Sequence, residues 1–411
     1  MTDTPNFDFP KATITEQNLN ELDKLPVHWV QTEHELYQLI DEIDGVDVVA
    51  LDTEFIKRTT YYPILALVQV NTGKAIYLVD APKLDLTEFW EALIEVPTMV
   101  WYACGEDLGI FYLLAKCPAL ANVFDVQIGV AYLTGKLQAG YSQAVSEILG
   151  IEVDKGESQS NWLTRPLTSH QERYAANDVR YLLALYQAVQ DELTKRQVLD
   201  CAIEDSHHYA RELHQIQNQA DDTLYLDLLA PIYNRRQIGV LQQLTQWREA
   251  LARATNEPKT FVIGKQALRE IVLEMPDNIK QLARTTINRA ALRRYGEEIV
   301  RIIRQVKATS EDNLPPLPPP TYHSKDKPFK NPLNDIIQAY ELKHHIPANL
   351  LLKNRWVNEL LVVAAYDGDI ETLSPELLGY RKALVVDEIL PLLREYKAHI
   401  LQVFAQPVYE P

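Results

Sequence analysis

An α/β domain with a mixed sheet, followed by two all-helical modules, is the fold class this sequence predicts, and three observations carry it. Strand-like and helix-like patterns alternate over about 150 residues of the N-terminal half. The second half shows mostly helical periodicity. Within that half the run Leu314-Pro315-Pro316-Leu317-Pro318-Pro319-Pro320 has no core-forming pattern and rises about 3.1 Å per residue, so it reads as a stiff spacer. The expected divisions are an N-terminal extension at 1–26, the α/β domain at 27–215, a helical module at 224–308, the linker at 309–331 and a second helical module at 332–405.

The elements follow in order. Residues up to about Pro26 are polar and aperiodic and are expected as an ordered extension or a tail. Thr32-Glu33-His34-Glu35 is a capping-box pattern, and Leu36, Leu39, Ile40 and Ile43 continue it at helical spacing. Val48-Val49-Ala50-Leu51-Asp52-Thr53-Glu54-Phe55 reads as a buried strand. Thr60-Tyr61-Tyr62-Pro63 breaks the chain. Leu65–Val70 and Ala75–Val79 then read as strands joined at Asn71-Thr72-Gly73, which makes a three-strand meander. Helical periodicity over Glu88–Ile94, a strand at Thr98–Ala103 and a helix from Asp107 to Ala115 complete the alternating pattern.

Composition excludes several function classes. The chain has 411 residues, 46% of them hydrophobic, which is enough for two to three cores. No stretch approaches the ~18 apolar residues of a membrane span, and the start lacks the basic and apolar segments of a signal peptide, so a cytoplasmic location is expected, with no membrane partner. Cys104, Cys117 and Cys201 lack metal-ligand spacing and fit buried free thiols in a reducing compartment. The formal charge of −17 argues against a general polyanion binder. Any nucleic-acid contact must be local, and between Tyr233 and Lys307 basic residues such as Arg284, Arg289, Arg293 and Arg294 far outnumber acids.

The chemistry is carried by carboxylates. Asp52 and Glu54 lie two apart on a strand and so share a face, where two like charges at the end of an apolar strand resist burial unless a cation sits between them. Asp107 falls where a strand hands over to a helix, at a sheet edge of the kind that holds ligands in open α/β folds. Tyr174 and Asp178 are four apart and share a helix face. Oxygen ligands without a His or Cys cluster suit Mg²⁺ or Mn²⁺ rather than zinc.

The set Asp52, Glu54, Asp107 and Asp178, with Tyr174 one turn before the last, resembles the DEDD superfamily of 3′→5′ exonucleases in its tyrosine subclass. More narrowly, Leu51-Asp52-Thr53-Glu54-Phe55 with Thr60-Tyr61-Tyr62-Pro63 is similar to the bacterial ribonuclease D family. So is Asp154-Lys155-Gly156-Glu157-Ser158 leading through Trp162-Leu163-Thr164-Arg165-Pro166-Leu167 to Tyr174-Ala175-Ala176-Asn177-Asp178. Val240–Ala250, with Pro258 and Tyr295–Ile299, resembles the helicase-and-RNase-D C-terminal (HRDC) domain, and Pro332–Tyr396 a second, divergent copy. The chain departs from the family at Tyr102, where relatives often carry His, and at Asn161, where Asp is usual.

The resemblance implies an α/β exonuclease domain with a ribonuclease H-like sheet flanked by helices, followed by two HRDC-type domains. It implies two divalent ions, with Asp52 bridging them, Glu54 and Asp178 holding the nucleophile-side ion, Asp107 helping to hold the other, and Tyr174 orienting the attacking water. The expected reaction is hydrolysis of RNA from its 3′ end to nucleoside 5′-monophosphates, with precursor tRNA 3′ tails as substrates and a monomer as the working form. The expected substrate contacts are Phe55, Lys57, Tyr62, Gln69, Trp162 and Arg165, together with Arg284, Arg289, Arg293 and Arg294. Trp356 is expected in a small core. Two other readings fit the same carboxylates: a DNA-directed exonuclease and a catalytically silent RNA-binding scaffold.

Overall fold

The strand β2 (Val48–Ile56) lies near the middle of a six-stranded sheet, as its apolar run requires. The structure is a computed structural model and describes residues 7–12, 15–154, 156–157 and 160–406. The other strands are β1 (Val27–Val30), β3 (Ile64–Asn71), β4 (Ile76–Val79), β5 (Thr98–Trp101) and β6 (Val123–Asp125), in the spatial order β1-β4-β3-β2-β5-β6. β2, β3 and β4 form the expected antiparallel meander. The pairs β1–β4, β2–β5 and β5–β6 are parallel, so the sheet is mixed.

Alternation of side chains along the strands feeds two cores. Val49, Leu51, Val68 and Val70 face a layer built from the helices Glu33–Ile43, Thr87–Glu95 and Gly105–Ala115. Leu67, Ile76 and Leu78 face the opposite layer, with Trp162 and with Ala175 and Val179 of the Ser169–Arg180 helix. The capping box at Thr32 forms, and so does a second one at Thr168 with Gln171, which fixes the start of that helix. One irregularity matters for the site. Glu54 pairs with Leu67 and Phe55 with Leu65, which leaves Ala66 as an extra residue bulging from β3 beside Glu54.

The chain divides into two compact units. The first holds residues 1–56, 64–217 and 326–397, so the second helical module packs with the α/β domain. There the Arg381 guanidinium grips Asp205 of the Leu199–Gln217 helix with two hydrogen bonds of 2.8 and 2.7 Å, and it also donates to the carbonyls of Leu350 and Glu376. Tyr132 donates to the same carboxylate at 2.7 Å and meets the Tyr380 hydroxyl at 2.6 Å. Burial pushes the Asp205 carboxyl up, but Arg381 outweighs it and holds the group below its ordinary range. Trp356 is buried under the same guanidinium, whose carbon lies 4.9 Å from the indole centroid.

The second unit holds residues 57–63, 218–325 and 398–411. Its core gathers Leu241 and Leu244 of the Arg235–Thr255 helix, Leu268 and Ile271 of the Lys265–Glu274 helix, and Ile299 and Ile303 of the Arg289–Ala308 helix. The proline-rich run is less free than expected. Leu314 is buried in this core, and Arg235 donates to the carbonyls of Leu314 and Pro315, so the spacer is tethered at its start. The cysteines are free, but only Cys104 is buried as expected; Cys117 and Cys201 are partly exposed. Among the described residues no helix is long and apolar enough to cross a membrane.

Candidate active site

Asp52 and Glu54 leave β2 on the same face, and the Ser169–Arg180 helix covers that face with Tyr174 and Asp178. One carboxylate oxygen from each of Asp52, Glu54 and Asp178 lies within 4.8 Å of the others. Together with Leu51, Tyr102, Tyr141, Tyr174 and Leu182 the three line a cavity of about 210 Å³. Asp107 reaches the region from the first turn of the Gly105–Ala115 helix, where it accepts a hydrogen bond from the Thr53 hydroxyl of β2. The turn before this helix is held by Asp125 at the end of β6, which accepts from the backbone N–H groups of Ala103 at 2.9 Å and Cys104 at 3.1 Å. Ala103 sits at φ +58°, a conformation that such outside anchoring sustains.

The electrostatics are those of a site built for a cation. Burial, then the charges of Asp178 and Asp107, push Glu54 up to about 9. Burial and Asp107 push Asp178 up to about 8, and burial moves Asp107 to about 6. Asp52 is raised well above the usual carboxylate range by burial and by all three neighbours. The Trp162 indole favours ionised Glu54, although its N–H stands outside hydrogen-bonding geometry. Such a set ionises together only when positive charge is supplied, and its all-oxygen donors fit a hard divalent ion.

Comparison with known proteins decides what kind of site this is. Residues 27–194 match the family model for 3'-5' exonuclease domains, and residues 237–303 match the HRDC domain. Ribonuclease D of Pseudomonas paraeruginosa is 30% identical over 364 residues, which cover 87% of this chain and 94% of the relative. The chain belongs to the ribonuclease D family. Ribonuclease D of Escherichia coli is 29% identical over 384 residues, covering 89% of this chain and 98% of that protein. The crystal structure of the E. coli enzyme, described as an exoribonuclease involved in structured RNA processing, superposes with a TM-score of 0.80 at 27% identity over 90% of this chain and all of that one. The catalytic core of RRP6 from Trypanosoma brucei shares the fold, with a TM-score of 0.52 at 18% identity. The chain is thus a 3′→5′ exoribonuclease of the ribonuclease D type, with RNA as its substrate class.

Within this ribonuclease D site the expected RNA contacts separate into groups. Phe55 is partly exposed at the bulge. Lys57 and Tyr62 are exposed and belong to the second unit, where the Tyr62 N–H donates to Asn256. Two expectations are corrected by burial, and a third is corrected by donors already engaged. Gln69 is fully buried opposite Asp52, and its carboxamide has no partner among the described residues. Trp162 is buried with its ring 6.0 Å from Tyr174. Arg165 spends its donors on the protein, with Asp80 held at 2.7 Å and the carbonyls of Trp162, Thr164 and Ala66 also engaged. Gln69 and Trp162 are thus enclosed by protein, and Arg165 is engaged with it. Lys155 and Ser158 of the long loop lie outside the described residues.

Arg284, Arg289, Arg293 and Arg294 are exposed on the second unit, with Arg294 stacked 5.2 Å from the Tyr295 ring and 3.8 Å from Glu257. Of the two departures from the family, Tyr102 lines the cavity and donates to the Ala139 carbonyl at 2.7 Å. Asn161 is exposed and accepts from the Leu163 N–H. Sequence reasoning missed Tyr141 and Asp125. Tyr141 stands in no motif, and Asp125 ends a strand only three residues long, so neither carried a pattern to find.

Proposed function

We propose that this ribonuclease D is a metal-dependent enzyme that releases nucleoside 5′-monophosphates and trims precursor tRNA 3′ ends. The convergence of Asp52, Glu54 and Asp178 within 4.8 Å, beside Tyr174, carries the reading. We assign Asp52 to bridge two ions, Mg²⁺ or Mn²⁺, Glu54 and Asp178 to hold the one beside the nucleophile, and Asp107 to help hold the other. When bound, the ions supply an activated water near neutral pH and neutralise charge on the phosphate and the leaving oxygen.

The chain's own residues supply orientation. Burial and the surrounding carboxylates raise the Tyr174 phenol well above its ordinary value, so it keeps its proton and positions a water by hydrogen bond instead of acting as a base. Thr53 steadies Asp107. The exposed arginines from Arg284 to Arg294 are assigned to the phosphates of the structured part of the RNA, while a flexible single-stranded 3′ end enters the cavity. We place the enzyme in the cytoplasm as a monomer, with the domain divisions given above.

The carboxylates do not distinguish sugars, so the test uses matched RNA and DNA oligonucleotides. Release of 5′-monophosphates from the 3′ end of RNA, restored after chelation by Mg²⁺ or Mn²⁺, is the expected result. Turnover that persists in chelator, or that prefers DNA, would overturn the assignment.

A further inference from the structure

The helix that carries Tyr174 and Asp178 stops at Arg180, and the next one, Leu182–Lys195, starts after the single residue Tyr181. In an unbroken helix the Tyr181 N–H would donate to the carbonyl of Asn177. Here that N–H is directed to the Val179 carbonyl and toward the Tyr141 oxygen. The Asn177 carbonyl instead accepts from the Tyr141 hydroxyl at 2.9 Å. A side chain inserted into the backbone ladder is an established cause of a helix break. The next two carbonyls that matter, those of Val179 and Arg180, accept from the Asn71 side-chain amide at 2.8 and 3.3 Å. The break is therefore satisfied by side chains from outside the helix.

Tyr141 is itself held firmly. Its ring packs edge-on against Tyr102, with centroids 5.4 Å apart at 68°, and both rings line the carboxylate cavity. Asp178 follows Asn177 directly, so whatever sets the geometry of this turn also sets where the Asp178 carboxylate stands. An oxygen ligand to Mg²⁺ must lie at about 2.0–2.1 Å, which leaves little room for a displaced turn.

We propose that Tyr141 is a positioning residue: its hydroxyl takes the place of the Tyr181 N–H on the Asn177 carbonyl, breaks the helix just after Asp178, and so fixes Asp178 against Asp52 and Glu54. The inference rests on the reading that these carboxylates hold divalent ions. It extends that reading to a residue that touches neither ion nor substrate through its hydroxyl.

The test compares the full-length chain with Tyr141→Phe, which keeps the ring, and with 4-aminophenylalanine at position 141, whose amine donates to Asn177 from the same point on the ring. Three quantities are measured: Mn²⁺ affinity of the chelator-stripped protein without RNA, kcat and KM on a short unstructured RNA, and the structure of the metal-free Tyr141→Phe protein. Tyr141→Phe is expected to weaken Mn²⁺ binding by about 10–100-fold, the range seen when groups that orient metal ligands are lost. Its kcat should fall in parallel with KM unchanged, the 4-aminophenylalanine variant should recover part of both losses, and the Tyr181 N–H should return to Asn177 in the metal-free structure of Tyr141→Phe. Unchanged Mn²⁺ affinity and kcat, a rise in KM alone, or equal behaviour of the two variants would each overturn the proposal. If the unsubstituted chain binds no Mn²⁺, the metal reading fails by itself, while the helix geometry of the metal-free variant still decides the role of Tyr141. Should Tyr141→Phe not fold, Tyr141→Leu decides through the same measurements, weakened Mn²⁺ binding with an unbroken helix supporting the proposal and an unchanged turn and affinity overturning it.

Discussion

Arg165 donates to the carbonyl of Ala66 at 2.8 Å, and Ala66 is the residue that bulges from β3 beside Glu54. A bulge leaves a backbone group outside the ladder, and here a guanidinium satisfies it while also pairing with the buried carboxylate of Asp80. Burial raises Asp80, yet Arg165 outweighs it and holds the group low. Arg165→Met should therefore leave the Ala66 carbonyl unpaired and Asp80 with Lys83 and Gln31 alone, and cost about 1–3 kcal/mol, the scale for removing one partner of a buried polar group. Denaturant unfolding checks it. RNA affinity at a temperature where the variant is folded should stay unchanged, and a selective loss of RNA affinity at full stability would restore Arg165 as a substrate contact.

Asp52→Asn is expected to lower turnover by about 10³-fold or more, since it removes the group assigned to both ions. In chelator the same variant should be as stable as the unsubstituted chain or more so, because it relieves repulsion among the four acids. Single-turnover kinetics and thermal melts in the two buffers check both halves.

Tyr174→Phe removes only the hydroxyl. The rate should fall by roughly 10²–10⁴ while Mn²⁺ and RNA affinities stay nearly constant. A collapse of metal affinity in this variant would show that Tyr174 shapes the ligands rather than the water.

The raised carboxyls tie stability to pH in a defined direction. Glu54 moves from 4.5 to about 9 and Asp178 from 3.8 to about 8. Between about pH 4 and pH 9 the folded metal-free chain thus holds protons that the unfolded chain has released, and its stability falls as pH rises through that window. Melting in chelator at pH 5, 7 and 9 should show the decline, and saturating Mg²⁺ or Mn²⁺ should remove most of it at the upper end. A flat profile in chelator would mean that the acids ionise without penalty.

Substituting Arg284, Arg289 and Arg293 by Ala should leave kcat on a short single strand intact and weaken binding of a tRNA-like substrate. The dependence of log affinity on log salt should flatten by roughly one unit for each phosphate that is no longer neutralised. An unchanged slope would move RNA capture elsewhere.

The parts legible in the sequence are those whose signal is local. Asp52 and Glu54 could be placed on one face because strand side chains alternate, and Tyr174 and Asp178 because helix faces repeat. The meander and the Thr32 capping box follow from short patterns and are present. What was hidden depends on distant partners. Gln69, Trp162 and Arg165 were expected as RNA contacts, but Gln69 and Trp162 are buried in the sheet and its covering layer, and Arg165 is drawn to Asp80 and the Ala66 bulge. The polar N-terminal stretch contains a helix, Glu16–Asp23, whose neighbourhood feeds the site: Arg180 donates to the carbonyls of Leu22 and Asp23. Nothing in Gly140-Tyr141-Ser142 announces that a hydroxyl there will interrupt a helix that begins at Ser169.

The pairing of Asp205 with Arg381 spans 176 residues, and translation supplies them in order. At ~5–20 residues per second the ribosome needs roughly 9–35 s to deliver the guanidinium after the aspartate has been made. For that interval the nascent exonuclease carries a carboxylate in a site shaped to bury it, with the Tyr132 hydroxyl already synthesised but its cationic partner still to come. The half of the protein that cuts RNA therefore completes its packing late, when most of the polypeptide has left the exit tunnel. Ribosome-stalled chains that lack Arg381 should be cleaved by protease near the Leu199–Gln217 helix far faster than chains that carry it on a linker long enough to bring it out of the exit tunnel. A nuclease born beside ribosomal RNA thereby stays unfinished until that guanidinium reaches Asp205.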